Sequence, residues 1–184
     1  MKEQQKKLLN ISVWCAIICF VLRCTISWES IVTDFSLYDL YGYASESIGI
    51  TVVIAVLYEK FIWRFNPFET TPKLASQYVG TLKSNYDNIE RNAELRVKQT
   101  LLSVHVTMIT DESKSRSLLA SIDEIFGEMQ LTYCYLNTPK SEHRDRSEIH
   151  QGTAMLFIAN PKKIDGQYYT DRMTSGDMVF TAKE

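Results

Sequence analysis

Side chains able to bind or react gather in five stretches of this 184-residue chain. They are Lys98-Gln99-Thr100, residues 110–115 (TDESKS), Tyr133 to Asn137, residues 149–153 (IHQGT) and residues 166–172 (GQYYTDR). Metal chemistry is not indicated, because Cys134, His105, His143 and His150 lack the spacing of a zinc site. Gly80, Gly127, Gly152, Gly166 and Gly176 stand singly, so no glycine-rich phosphate loop is present. Ser, His and acidic residues all occur, yet nothing selects a triad from them. The pattern supports no enzyme. It leaves hydrogen bonding and ion pairing, the chemistry of binding.

The elements that carry these groups have a period of two. Gln77 to Tyr86 alternates Tyr78, Gly80, Leu82 and Ser84 on one face. Ala93 to Thr110 is long for one strand and changes parity: Leu95, Val97, Gln99 and Leu101 are odd, Leu102, Val104, Val106 and Met108 even. A bulge or strand break at Leu101-Leu102 restores the apolar face to the core. Asp111 to Lys114 reads as a turn, and Ser115 to Phe126 resumes with Leu118, Ala120 and Ile122 on one side. Strands follow at Met129 to Asn137, His150 to Ile158, Gly166 to Arg172 and Asp177 to Lys183, with a charged loop over residues 138–148. Short strands with local connections predict an antiparallel up-and-down meander of about eight strands. Closing it into a barrel removes its edges and leaves an interior able to hold one small ligand.

Ahead of this all-β part stand two membrane-length apolar stretches, Leu8 to Trp28 and Ala44 to Trp63. About 20 helical residues cross a hydrocarbon core of about 30 Å, so each suffices for one span. Lys2, Lys6 and Lys7 flank the first, Lys60 and Arg64 close the second, and the connection from Cys24 to Ser47 is acidic without Lys or Arg. That asymmetry predicts a multi-pass hairpin with both termini cytoplasmic. A cleaved signal peptide fits less well, because the stretch after Trp28 lacks small-x-small cleavage chemistry and a second span follows. Arg23 reads as a snorkelling residue, Cys15 and Cys19 as packing residues. Pro67 and Pro72 mark a boundary, giving a hairpin over 1–65, a linker over 66–73 and a ligand-binding barrel over 74–184. Residues 64–184 hold 15 Lys and Arg against 16 Asp and Glu, which argues against DNA or RNA polymers as partners.

The segments KQTLLSV (98–104), TDESKSRS (110–117), YLNTP (135–139), IHQGTA (149–154) and GQYYTDRMTSG (166–176), in this order after two spans, carry a resemblance. The chain resembles the SMODS-associated two-transmembrane, β-strand-rich effector family of bacterial CBASS anti-phage defence. The resemblance implies a barrel that binds a cyclic dinucleotide made by a partner CD-NTase, with no other cofactor. It further implies that ligand makes the spans assemble as a homo-oligomer and disrupt the bacterial inner membrane, arresting or killing the cell. Two other readings compete: a lipocalin-like barrel tethered to the membrane for an apolar ligand, and an adaptor that docks a protein.

A cyclic dinucleotide offers two phosphates and two stackable bases, so its site needs cations, aromatic faces and hydroxyl or amide groups. On that expectation Arg172, beside Tyr169 and Thr170, is the phosphate candidate; its alternative is a surface ion pair with Asp171 or Asp177. Tyr133 and Tyr135 share a face and either stack on bases or serve as core aromatics. Ser113 and Ser115, with Lys114 between them, form either a phosphate-binding rim or a solvated turn. His150 is a ligand contact or a structural histidine. Gln99 shares the apolar face of Leu95 and Val97 and is the interior polar group expected there. Lys98 and Lys114 are the substitute cations.

Overall fold

The computed structural model describes residues 3–145 and 147–183; Lys2, counted above with the basic N-terminal flank, lies outside the described residues. The chain divides into two compact units, Met1–Glu69 and Thr70–Glu184.

The first unit is helical. Helix α1 spans Glu3–Ile26, α2 is the short Trp28–Thr33, and α3 spans Leu37–Lys60. α1 and α3 are both long and apolar enough to cross a membrane. They begin earlier than the apolar stretches do, and Trp63 falls in a turn of 3₁₀ helix after α3. The acidic connection is mostly helical, so only Asp34 to Ser36 remains irregular between α2 and α3. Side chains from Ser47, Thr51 and Tyr58 are buried along α3. Arg23 does more than reach toward headgroups. Its Nε donates to Glu46 Oε2 at 2.9 Å and its guanidinium lies 4.4 Å from the centre of the Tyr43 ring.

The second unit is a closed antiparallel barrel of eight strands in sequence order, β8 pairing back to β1. The strands are β1 Gln77–Ser84, β2 Glu90–Gln99, β3 Val104–Thr110, β4 Ser113–Ile125, β5 Glu128–Pro139, β6 His150–Asn160, β7 Lys163–Thr170 and β8 Ser175–Ala182. The parity change at Leu101-Leu102 is a hairpin turn, closed where Thr100 N–H donates to Ser103 O at 2.8 Å. Leu101 is buried and Leu102 points out, as restoring the apolar face requires. One expectation fails. Leu118 does not share the inner face with Ile122, because the β4–β5 ladder shifts register between Ser117 and Leu119 and turns Leu118 and Leu119 outward.

Alternation puts Tyr78, Leu95, Val106, Leu131, Leu156, Ile164, Met178 and Phe180 in the core. One end of the barrel is plugged by the segment that leads into β1. Gln99 Nε2 donates to Pro72 O at 2.8 Å while its Oε1 accepts from Leu74 N–H at 3.0 Å. Tyr78 Oη accepts from Ala75 N–H at 2.9 Å and donates to Pro161 O at 2.6 Å. Leu74 is buried beneath this strap. The other end, where β1, β3, β5 and β7 finish, stays open.

Candidate functional site: a polar cavity in the open barrel end

The inward alternation of the eight strands becomes polar toward the open end. There Leu82 gives way to Ser84, Met108 to Thr110, Tyr135 to Asn137 and Tyr168 to Thr170. The result is a cavity of about 540 Å³ lined by hydroxyl, amide, phenol and guanidinium groups, by the carboxylates of Asp87 and Glu112, and by the apolar side chains of Leu82 and Met108. That volume lies within the range of pockets that enclose a small organic ligand.

Six of the expected residues meet here: Arg172, Thr170, Tyr135, Ser113, Ser115 and His150. Arg172 sits in the turn after β7, its N–H donating to Thr170 Oγ1 at 3.2 Å and its Nη1 to Ser147 Oγ at 3.4 Å. The expected surface partners are engaged elsewhere: Asp171 Oδ2 accepts from Gln151 N–H and Asp177 Oδ1 from Gln167 Nε2. Among the described residues no carboxylate lies within 4.0 Å of the Arg172 guanidinium. Its positive charge is therefore uncommitted.

Three expected residues are placed elsewhere. Tyr133 is buried in the core below the cavity, its ring centre 5.9 Å from that of Tyr135. Its Oη has no hydrogen-bond partner among the described residues. Tyr169 is 51% exposed on the outer face. Gln99 lies at the plugged end, holding the strap. The substitute cations Lys98 and Lys114 both point outward.

The sequence held three further residues that strand parity assigns to this wall. Arg91 faces inward because β2 begins at Glu90, three residues before the expected start, which extends the Ala93-Leu95-Val97 face by one more position. Tyr168 alternates with Thr170, so Thr170 and Tyr169 cannot both face the interior of one regular strand. Asn137 continues the Tyr133-Tyr135 face.

Two aromatic rings are set by glycines. A Cβ on Gly152 would lie 2.5 Å from Cζ and Oη of Tyr135, and one on Gly176 would lie 2.7 Å from Tyr168 Cε1. Each bare glycine thus gives its cross-strand tyrosine room to lie flat along the wall.

Electrostatics divide the two arginines. Arg91 Nη1 donates to Asp87 Oδ1 at 3.1 Å, and its Nε lies 3.8 Å from Glu112 Oε2. The Arg91 hydrogen bond and the Ile89 N–H hold the Asp87 carboxyl at about 2, below its ordinary value. Burial, and then the neighbouring Tyr168 and Asp171, push the Tyr135 phenol well above its ordinary value, so it stays a neutral donor. Burial lowers the His150 imidazole, and nearby Arg172 adds to that, against the opposing hydrogen bond to Glu148 O. His150 is thereby a neutral hydrogen-bonding group at pH 7. Among the described residues no group of three or more His, Cys, Asp and Glu could hold a metal ion.

Residues 69–182 match a family model described as Cap15, cyclic dinucleotide receptor domain. The chain belongs to this family. The resemblance drawn from the polar segments is borne out, and the match covers the whole barrel. The chain is also 29% identical over 182 residues to CD-NTase-associated protein 15 of Staphylococcus schleiferi, covering 97% of each sequence. Among solved structures, a redesigned beta barrel is similar in outline, with a TM-score of 0.43 and 11% identity over 60% of this chain and 92% of that one.

Proposed function

We propose that the barrel receives a cyclic dinucleotide, made by a partner CD-NTase, in the cavity at its open end. Binding then drives the two apolar helices to assemble and disrupt the bacterial inner membrane, halting growth during phage infection. One observation carries the first half: Arg172, with no carboxylate partner among the described residues, and two glycine-seated tyrosines line the same cavity. A cyclic dinucleotide brings about two negative charges and two π-faces, which match a guanidinium and phenol rings. Arg91, on β2, and Arg172, in the turn after β7, both line the cavity, with β8 and β1 between them in the barrel order. Membership of the Cap15 receptor family supports the ligand class, and the CD-NTase association in the relative's name supports its source. An apolar, lipocalin-type cargo would strip water from the hydroxyl, amide and guanidinium groups of this wall without returning hydrogen bonds to them.

The membrane half rests on α1 and α3 and on the flanking charges. Lys6 and Lys7 in the first turns of α1, with Lys60 at the end of α3 and Arg64 just after it, favour cytoplasmic termini, where a cytoplasmic messenger reaches the barrel. The strap of Gln99 and Tyr78 on residues 72–75 supplies a route by which a change in barrel shape reaches the chain leading from the helices.

Two assays test the halves separately. Calorimetric titration of the full chain in detergent with a panel of cyclic dinucleotides should find a ligand; no binding to any member overturns the receptor reading. Full chain in dye-loaded vesicles should release dye only when that ligand is added. Ligand binding without ligand-dependent release overturns membrane disruption while leaving the receptor in place.

A further inference from the structure

Three neighbouring strands bring Ser115, Asn137 and His150 side by side on the cavity wall. Asn137 of β5 stands opposite Ser115 of β4 in one ladder and opposite His150 of β6 in the other. All three are buried and all three line the cavity. Directly opposed residues on one face hold their Cβ atoms about 4.5–5.5 Å apart, so their side chains can reach one small planar ligand together.

The hydrogen bonds of this trio fix what each member shows the cavity. Ser115 Oγ donates to Asn137 Oδ1 at 2.8 Å, which occupies the amide oxygen and leaves the NH₂ facing away. His150 Nδ1 lies 2.9 Å from Glu148 O. A carbonyl only accepts, so the ring proton of neutral His150 is on Nδ1 and Nε2 keeps its lone pair. Neither Asn137 Nδ2 nor His150 Nε2 bonds to another described residue. Neither is among the buried, solvent-sealed atoms that lack a partner, which among the described residues are Thr51 Oγ1, Trp63 Nε1 and Tyr133 Oη. Both atoms therefore stay accessible on residues that line the cavity, one as a donor and the other as an acceptor.

We propose that Asn137 and His150 together read the edge of one base of the bound cyclic dinucleotide, with Ser115 as the positioning residue that holds the amide donor toward it. The inference rests on the reading of the cavity as a dinucleotide site. A base, rather than a phosphate, is the matching partner. Phosphate oxygens accept only and would meet the lone pair on His150 Nε2, whereas a base edge places an acceptor beside a donor. Adenine offers N1 beside its N6 amino group, and guanine O6 beside N1–H. The guanine edge bearing O6 and N7 presents two acceptors and is disfavoured. Tyr135 lies two residues before Asn137 on the same face, so a base laid on its ring brings an edge to the pair.

The test is calorimetric titration of the full chain in detergent with cyclic di-AMP, cyclic di-GMP and cyclic di-UMP, comparing wild type with Asn137→Asp, Ser115→Ala and Arg172→Ala. Asn137→Asp turns the donor into a second acceptor. It should weaken the preferred ligand by about tenfold or more and change the affinity ratios within the panel. Arg172→Ala should weaken every ligand that binds by a similar factor. If Asn137→Asp leaves all affinities unchanged, or lowers all by one common factor, the base-reading role is overturned. Should that variant not fold, Ser115→Ala decides, since it keeps Asn137 but frees the amide to turn. A two- to tenfold change in the ratios supports the inference, and unchanged ratios refute it. A wild type that binds no member of the panel removes the dinucleotide reading itself, and this inference with it.

Discussion

Replacing Gln99 by alanine should destabilise the barrel and leave ligand affinity untouched. The side chain makes two hydrogen bonds to the segment ahead of β1, to Pro72 O at 2.8 Å and from Leu74 N–H at 3.0 Å. Two such bonds contribute about 1–3 kcal/mol net. If the strap lifts, the burial of Leu74 is lost as well, worth about 1.5–3 kcal/mol for a fully buried leucine. In a domain of this size each kcal/mol moves the melting midpoint by several degrees, so a fall of about 5 °C or more is expected. Gln99→Glu should be worse than alanine, because a carboxylate oxygen then faces the Pro72 carbonyl where a donor was. The assay is thermal melting of the full chain in detergent, followed by titration with the cognate cyclic dinucleotide. Unchanged melting with weakened binding would refute the strap and return Gln99 to the ligand.

Three further outcomes follow from the cavity. Arg172→Ala should lose about 10- to 150-fold in affinity, the worth of a charge-assisted hydrogen bond of roughly 1.5–3 kcal/mol, with melting changed little; titration and melting of the same sample check both. Gly152→Ala should cost about 1–3 kcal/mol and weaken binding too, since its Cβ would sit 2.5 Å from the Tyr135 phenol; the same two measurements apply. For His150 the sign is fixed by its lowered pKa: stability is complete above the ordinary value of 6.5 and declines as pH falls from there toward the lower folded value. Wild type should therefore lose more melting temperature than His150→Gln over that interval, and equal losses would show that His150 protonates as readily folded as unfolded.

Strand period and the two apolar stretches made the architecture legible, because burial on one face dictates alternation and bilayer thickness dictates length. The site was legible wherever a residue lay on a strand whose start was correctly placed. Tyr135, Ser115, His150 and Thr170 fall on inner faces set by parity. Arg91 lies outside the strand expected from Ala93 onward, and only the ladder shows that β2 already begins at Glu90. Tyr169 stood in for Tyr168 through a shift of one residue, which exchanges the two faces of a strand. Gln99 has the right face and the wrong end: parity tells inside from outside but carries no information about which end of a barrel is plugged. The outward turn of Leu118 likewise depends on a bulge that leaves no mark in the sequence.

The most direct measurement is an experimental structure of the full chain with its cyclic dinucleotide bound. The ligand should lie in the open barrel end, with a phosphate against Arg172, a base on Tyr135 or Tyr168, and that base's edge at Asn137 and His150. A ligand seated instead in the outer groove between Lys83 and Asp177, or at the plugged end beside Gln99, would contradict the assignment of this cavity as the receptor site.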